Sequence, residues 1–519
     1  MKKIQIYDTT LRDGTQGEGV SLSLNDKLML AKHLDGFGVD FIEGGWPGSN
    51  PKDMGFFKEA KKIKFKHAKI AAFGSTRRAN MKVTQDDQVK LLLEAGTKVV
   101  TIFGKSWDFH VKEVFKTSLK ENLNMIHDTV SFLKSKKKFV IYDAEHFFDG
   151  FFENQEYALK TIRAAAKAGA DLICLCDTNG GMLPHQIAIA VKRIRKTVRT
   201  PIGIHCHNDA AMGVPNSVAA VEHGAIQVQG TINGYGERCG NANLTSIIPI
   251  LQLKLNLPVV SDRKLKQLSE LSHYVAEVCN MPVRSNQPFT GQSAFAHKGG
   301  VHVNAMMKNR KTYEHINPVL VGNHTRFLVS ELSGKSNVLL KAQELKIGLS
   351  KDRAETKAIL QKIQELENEG YQFEAAEASF ELLIKKETGR YKKYFEVLEV
   401  RVLDEKKAEK APVSEATVKV KVGSDIEHTT ANGDGPVNAL DKALRKALKR
   451  FYPVVEKIHL SDYKVRVVNS QAGTAAKVRV FIQFQDEKDT WSTVGVSENV
   501  IEASWNALVE AIEYKLMKN

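Results

Sequence analysis

Leu172-Ile173-Cys174-Leu175-Cys176, Ile202-Gly203-Ile204-His205-Cys206 and Ile226-Gln227-Val228-Gln229-Gly230 are three short β-rich runs, separated by segments with apolar residues at helical spacing. Working outward toward the N-terminus, the alternation recurs at Phe139 to Tyr142, Val99 to Phe103, Lys69 to Phe73, Phe41 to Glu43 and Ile4 to Tyr7. Eight strand-then-helix units between Lys3 and about Leu255 predict an α/β fold of the TIM (β/α)8 barrel type. An open doubly wound sheet is the rival. Eight regular units favour closure, and polar residues gather just after the strands, where barrel enzymes keep their sites.

Beyond this barrel, expected over 1–260, Ser261 to about Lys407 reads as mostly helical, with periodic apolar positions at Leu265, Leu268, Leu271 and Val275 and again through Ala354 to Leu366. A charged stretch, Leu403 to Ala411, then meets Pro412, and strand-like alternation begins at Ala416 to Val422. This predicts a helical linker region over 261–410 and a C-terminal α+β domain over 411–519. Inside that last domain Ala439, Ala443, Leu444, Ala447 and Leu448 recur sixty-four positions later as Ala503, Ala507, Leu508, Ala511 and Ile512. Two β-plus-α halves in pseudo-symmetry are expected; the alternative is chance likeness between alanine-rich helices.

Bulk properties narrow the class. A chain of 519 residues, 42% hydrophobic, is long enough for several cores. No apolar run approaches the roughly 20 residues that span a bilayer, and the opening MKKIQIYDTT runs straight into a strand pattern instead of a signal peptide. A soluble, cytoplasmic protein is expected. Cys174, Cys176, Cys206, Cys239 and Cys279 show no paired spacing, which predicts buried free thiols in a reducing compartment. The formal charge of +15 does not point to nucleic acid, because the clusters Lys61 to Lys69 and Lys134 to Lys138 fall where solvated helix ends are expected. It suits the collection of anionic substrates. No membrane partner is expected.

The chemistry-bearing residues cluster after predicted strands. His205 and His207 lie two apart on strand seven, so both imidazoles face one way, as half of a metal site or as a structural pair. Asp13, in Asp8-Thr9-Thr10-Leu11-Arg12-Asp13-Gly14-Thr15-Gln16, follows strand one; barrel closure would bring its carboxylate to the histidines, unless it only caps a turn. Asn241, after strand eight, could add an oxygen. This donor set suits a hard or borderline divalent ion, Mg, Mn or Zn. Arg12 is suited to stabilise a developing enolate or alkoxide, or else forms a surface ion pair. Glu145 and Thr178, after strands five and six, could orient a thioester and hold a substrate carboxylate, or support loops. In Gly234-Tyr235-Gly236-Glu237-Arg238-Cys239-Gly240 the third glycine falls one position late for a dinucleotide fingerprint, and Ser333-Gly334-Lys335-Ser336 lacks the upstream glycine of a P-loop. Neither nucleotide reading holds.

Taken together, Asp8 to Gln16, His205 to His207 and Gly234 to Asn241 (GYGERCGN) resemble the acyl-CoA-condensing enzymes that include 2-isopropylmalate, homocitrate and citramalate synthases. The resemblance spans nearly the whole chain. It implies a condensation of acetyl-CoA with a small 2-oxo acid, in which Arg12 stabilises the enolate and Asp13, His205 and His207 bind a divalent metal with Asn241 close by. It further implies that Glu145 engages the reacting groups and Thr178 contacts the oxo-acid carboxylate. His297 to His302 (HKGGVH) and Lys311 to Glu314 (KTYE) are similar to the family's linker segment, which implies that His302, the leading base, and Tyr313 join the site from the other subunit of a homodimer. The C-terminal repeat, particularly Asn432 to Ala439 (NGDGPVNA), resembles the family's allosteric domain.

Gly44 to Pro51 (GGWPGSNP) is more similar to a citramalate synthase subgroup, which implies pyruvate as acceptor and isoleucine as allosteric inhibitor. Tyr142-Asp143-Ala144-Glu145 departs from the acceptor-pocket pattern of better-known members of that subgroup. Alternatives are 3-methyl-2-oxobutanoate as acceptor, a lyase on the same barrel, and a non-catalytic amino-acid sensor on the same scaffold.

Overall fold

The computed structural model describes residues 3–328, 354–406, 412–468 and 470–519, together with 339, 342 and 408. Ser333 to Ser336 and the boundary expected at 410/411 lie outside the described residues. The chain divides into two compact units, one of Met1–Phe295 with His315–Thr325, the other of Ala296–Glu314 with Arg326–Asn519.

In the first unit all eight expected strands form: β1 (Gln5–Asp8), β2 (Phe41–Gly45), β3 (Lys69–Ser75), β4 (Val99–Lys105), β5 (Phe139–Glu145), β6 (Leu172–Asp177), β7 (Ile202–Cys206) and β8 (Gln227–Gly230). They pair in parallel and in order, and β8 closes on β1 with Gln5 opposite Gln227 and Asp8 opposite Gly230. Alternation of side chains along each strand divides the apolar residues into two layers. One set, including Tyr7, Phe41, Val99, Ile141, Leu172 and Cys174, fills the barrel interior. The other, including Ile6, Ile42, Ile102, Val140, Ile173 and Ile204, packs against the surrounding helices.

Short polar side chains start those helices. Ser23 closes a capping box with Asp26 on α1 (Leu24–Phe37), and Asn50 caps α2 (Pro51–Ala60), which has proline at its first position. Asp86 caps α3 (Asp87–Glu94). Four cysteines are buried free thiols as expected; Cys239, in the loop after β8, is exposed. No helix among the described residues is long and apolar enough to cross a membrane.

The second unit contains two antiparallel three-stranded sheets, Glu396–Glu405, Val413–Val422 and Asp425–Gly433, then His459–Val467, Val478–Gln485 and Thr490–Ser497. Each sheet is followed by a helix, Pro436–Leu448 or Val500–Lys518. The sequence repeat is structural. Thr429 Oγ1 donates to the Ala443 carbonyl at 2.8 Å, and sixty-four positions later Thr493 Oγ1 donates to the Ala507 carbonyl at 2.7 Å. Ala439, Ala443, Ala447, Ala503, Ala507 and Ala511 are buried in one shared core. Their small side chains let each helix lie close on its sheet.

Candidate active site

Closure of β8 onto β1 brings the turn after β1 beside the end of β7. One ligand atom each from Asp13, His205 and His207 then lies within 4.8 Å of the others, and all three residues are buried. His205 Nε2 is 3.3 Å from Asp13 Oδ2, and the imidazole centroids are 5.3 Å apart. Asn241 pairs with His207 in an isolated β-bridge, its Nδ2 donating to the Tyr235 carbonyl at 3.1 Å. Asn241 Oδ1 and His207 Nδ1 are both buried without a hydrogen-bond partner. Orphaned buried polar atoms are costly, and a carboxylate oxygen and two imidazoles converging in this way, with the Asn241 backbone bridged to His207, fit a divalent cation.

Charge agrees with that fit. Burial would raise the Asp13 carboxyl, but the Arg12 guanidinium and His205 hold it well below the usual carboxylate range. For His205, burial pulls the pKa down and the neighbouring Asp13 more than reverses it. His207 is pushed down to about 4 by burial and by His205, so it is neutral at physiological pH, as a ligand must be.

Arg12 is no surface ion pair. Its Nε donates to Glu43 Oε1 at 2.5 Å, and its guanidinium carbon lies 3.8 Å from the centre of the Phe73 ring. Burial opposes the charge, but Glu43 and Asp13 outweigh it and keep Arg12 protonated. Glu43 also accepts from Tyr7 Oη at 2.5 Å and Thr9 Oγ1 at 2.6 Å. Asp143, on β5, is pushed up to about 7 by burial and by Glu43.

A cavity of about 220 Å³ unites these groups; Arg12, Asp13, Glu145, Thr178, His205 and His207 all line it. Glu145 forms an ion pair with the buried Lys105. Thr178 Oγ1 accepts from the His146 backbone N–H at 2.9 Å, and the Thr178 carbonyl accepts from Arg238 at 2.7 Å. Arg238 in turn pairs with Asp209 at 2.8 Å, tying the loops after β6, β7 and β8 together.

His302 and Tyr313 belong to the second unit, where their rings stack with centroids 4.1 Å apart. Reading the sequence missed Glu43, Gln229, Arg238 and the aromatic wall of Trp46, Phe73 and Phe103. A usable signal existed for two of them, since Glu43 and Gln229 are polar residues inside barrel strands.

Comparison with known proteins adds a family. The model for the HMGL-like family matches residues 3–275, that for the homocitrate synthase post-HMGL domain-like family 289–371, and that for the LeuA allosteric (dimerisation) domain 374–516. The (R)-citramalate synthase of Aquifex aeolicus is 57% identical over 520 residues, covering 100% of this chain and 98% of that protein. The (R)-citramalate synthase of Geobacter sulfurreducens is 54% identical with the same coverage. The 2-isopropylmalate synthase of Methanocaldococcus jannaschii is 31% identical over 518 residues, covering 99% of this chain and 95% of that protein.

Proposed function

The chain belongs to the HMGL-like family and, within it, to the (R)-citramalate synthases, and from that premise we propose that it condenses acetyl-CoA with pyruvate and water to give (R)-citramalate and CoA. The observation that carries this reading is the convergence in one cavity of Arg12, the Asp13–His205–His207 group and an apolar wall. A small 2-oxo acid needs both, polar groups for its carboxylate and carbonyl and an apolar surface for its methyl.

Asp13, His205 and His207, with Asn241 beside them, would hold the divalent ion, which when bound supplies Lewis-acid polarisation of the acceptor carbonyl. Thr178 hydrogen-bonds the acceptor carboxylate, and Glu145, held by Lys105, orients the thioester. His302, with Tyr313, serves as base toward the acetyl methyl, contributed by the other subunit of a homodimer. Arg12 offsets the charge on the enolate oxygen, and Glu43 and Phe73 hold its guanidinium in place beforehand. The enolate carbon attacks the acceptor carbonyl, and hydrolysis of the thioester releases CoA. The repeat domain binds isoleucine, the end product of the pathway served, and the enzyme works in the cytoplasm.

Free-thiol release from acetyl-CoA by the metal-loaded protein tests the reading, with pyruvate and 3-methyl-2-oxobutanoate compared, each with and without isoleucine or leucine. Pyruvate-dependent release curbed by isoleucine is expected. Release with the branched acid alone would move the chain to the 2-isopropylmalate reaction.

A further inference from the structure

The cavity's apolar wall is built from three strands and stands on a support that touches no reacting group. Trp46 follows β2, Phe73 lies on β3 and Phe103 on β4. The indole meets both phenyl rings edge-on, with centroids 5.8 and 5.7 Å away at 81° and 80°, while the two phenyl rings stack on each other at 5.6 Å. Phe73 also carries the Arg12 guanidinium, so the wall adjoins the polar end of the cavity.

Behind the wall, Trp46 is held at two points. Its indole Nε1 donates to Gln88 Oε1 on α3 at 3.0 Å, and its backbone N–H donates to Asp53 Oδ2 on α2 at 2.8 Å. The other Asp53 oxygen accepts from Lys27 Nζ on α1 at 2.5 Å, and Lys27 also reaches the Gly44 carbonyl at 3.3 Å. The Lys27 and Asp53 side chains are only 2% and 7% exposed. A buried ion pair is poor value as a source of stability alone, whereas one that fixes a single conformation has a reason to persist.

Glycines make room for this bracket. A Cβ at Gly45, whose φ is +146°, would lie 2.5 Å from Asp53, and one at Gly48 would lie 2.1 Å from Gln88 Oε1. The β2–β3 register shifts between Glu43 and Gly45, just before the indole turns into the cavity.

We infer that Trp46, fixed by Gln88 and by the Lys27–Asp53 pair, sets the size limit on the acceptor's alkyl group, with Gln88, Asp53 and Lys27 as positioning residues for specificity. This rests on the functional reading above. A 2-oxo acid held at Thr178 and the Asp–His–His group turns its alkyl end toward the aromatic wall, and a rigid indole excludes a branched chain where a mobile one would yield. A single methylene in an apolar pocket is worth about 10- to 200-fold in discrimination.

The test uses the full-length metal-loaded protein and its Trp46→Leu and Gln88→Leu variants, with kcat/KM measured for pyruvate, 2-oxobutanoate and 3-methyl-2-oxobutanoate. In Trp46→Leu the preference for pyruvate over the branched acid should fall at least about 10-fold. In Gln88→Leu, which leaves the cavity lining intact, it should fall several-fold, mainly through a lower KM for the larger acids and with the KM for acetyl-CoA unchanged. Parallel loss on all three acids, with the preference intact in Gln88→Leu, would overturn the inference while leaving the pyruvate reading standing. A wild-type protein that turns over the branched acid and not pyruvate would overturn both. If Trp46→Leu does not fold, Gln88→Leu decides alone.

Discussion

Gln229 Oε1 accepts from His205 Nδ1 at 3.1 Å, and the direction of that bond is set one step further away, where Gln229 Nε2 donates to Asp143 Oδ1 at 3.1 Å. With the amide nitrogen turned to Asp143, its oxygen meets the ring, so the imidazole proton sits on Nδ1 and Nε2 is left facing Asp13.

Replacing Gln229 by Leu keeps much of the volume and removes that orientation. Affinity for a divalent ion should drop about 10- to 100-fold, read by competition titration or by the spectrum of bound Mn²⁺. An unchanged affinity would leave Gln229 as packing alone.

Arg12→Lys keeps the charge but loses the planar fork that meets Glu43 and lies over Phe73. Thiol release should fall by about 100- to 1,000-fold in kcat while the affinity for the acceptor acid changes far less. Equal losses in both would assign Arg12 to acceptor binding instead of charge stabilisation.

Asp8 is fully buried, accepts from the Thr10 backbone and hydroxyl, and is pushed up to about 7 by burial. The folded protein therefore keeps a proton there that the unfolded chain releases near its ordinary value of 3.8. Stability contributed by this group is full below that value and declines as pH rises toward 7. Asp8→Asn removes the decline, and the variant should be more stable than wild type at pH 8 by on the order of 2–4 kcal/mol, with the advantage shrinking toward pH 4. Urea unfolding at both pH values measures it; an advantage independent of pH would mean that the ionised carboxylate is not the cause.

In the repeat domain Gly433 ends the third strand of the first half, and Gly495 lies two residues before the end of the third strand of the second, each against the following helix. A Cβ there would lie 2.4 Å from the Ala439 nitrogen or 2.0 Å from the Ala503 carbonyl oxygen. Either Gly→Ala change should cost about 1–3 kcal/mol by forcing helix and sheet apart, seen as a lower melting temperature of this unit. A neutral Gly495→Ala would show that the helix can lift off without loss.

The eight strands were legible because each is a short apolar run bounded by helical periodicity, and the metal-competent trio because His205 and His207 share a strand face and Asp13 follows the strand that closure makes their neighbour. Trp46 was visible only as bulk in a glycine-rich segment, and nothing in its neighbourhood announces Gln88, 42 positions away. Gln229 stands out in its strand as polar, but a polar residue there carries no mark of which side chain it will face.

The sequence by itself therefore determined the barrel, the repeat of the C-terminal domain and the set of residues able to bind a cation, since all three are written in local periodicity and residue chemistry. Only the tertiary structure decided which charges are paired within the barrel, which proton His205 carries and what holds Trp46 in place. Those depend on side chains from different strands and helices meeting at 2.5–3.3 Å, distances set by barrel closure and not by spacing along the chain.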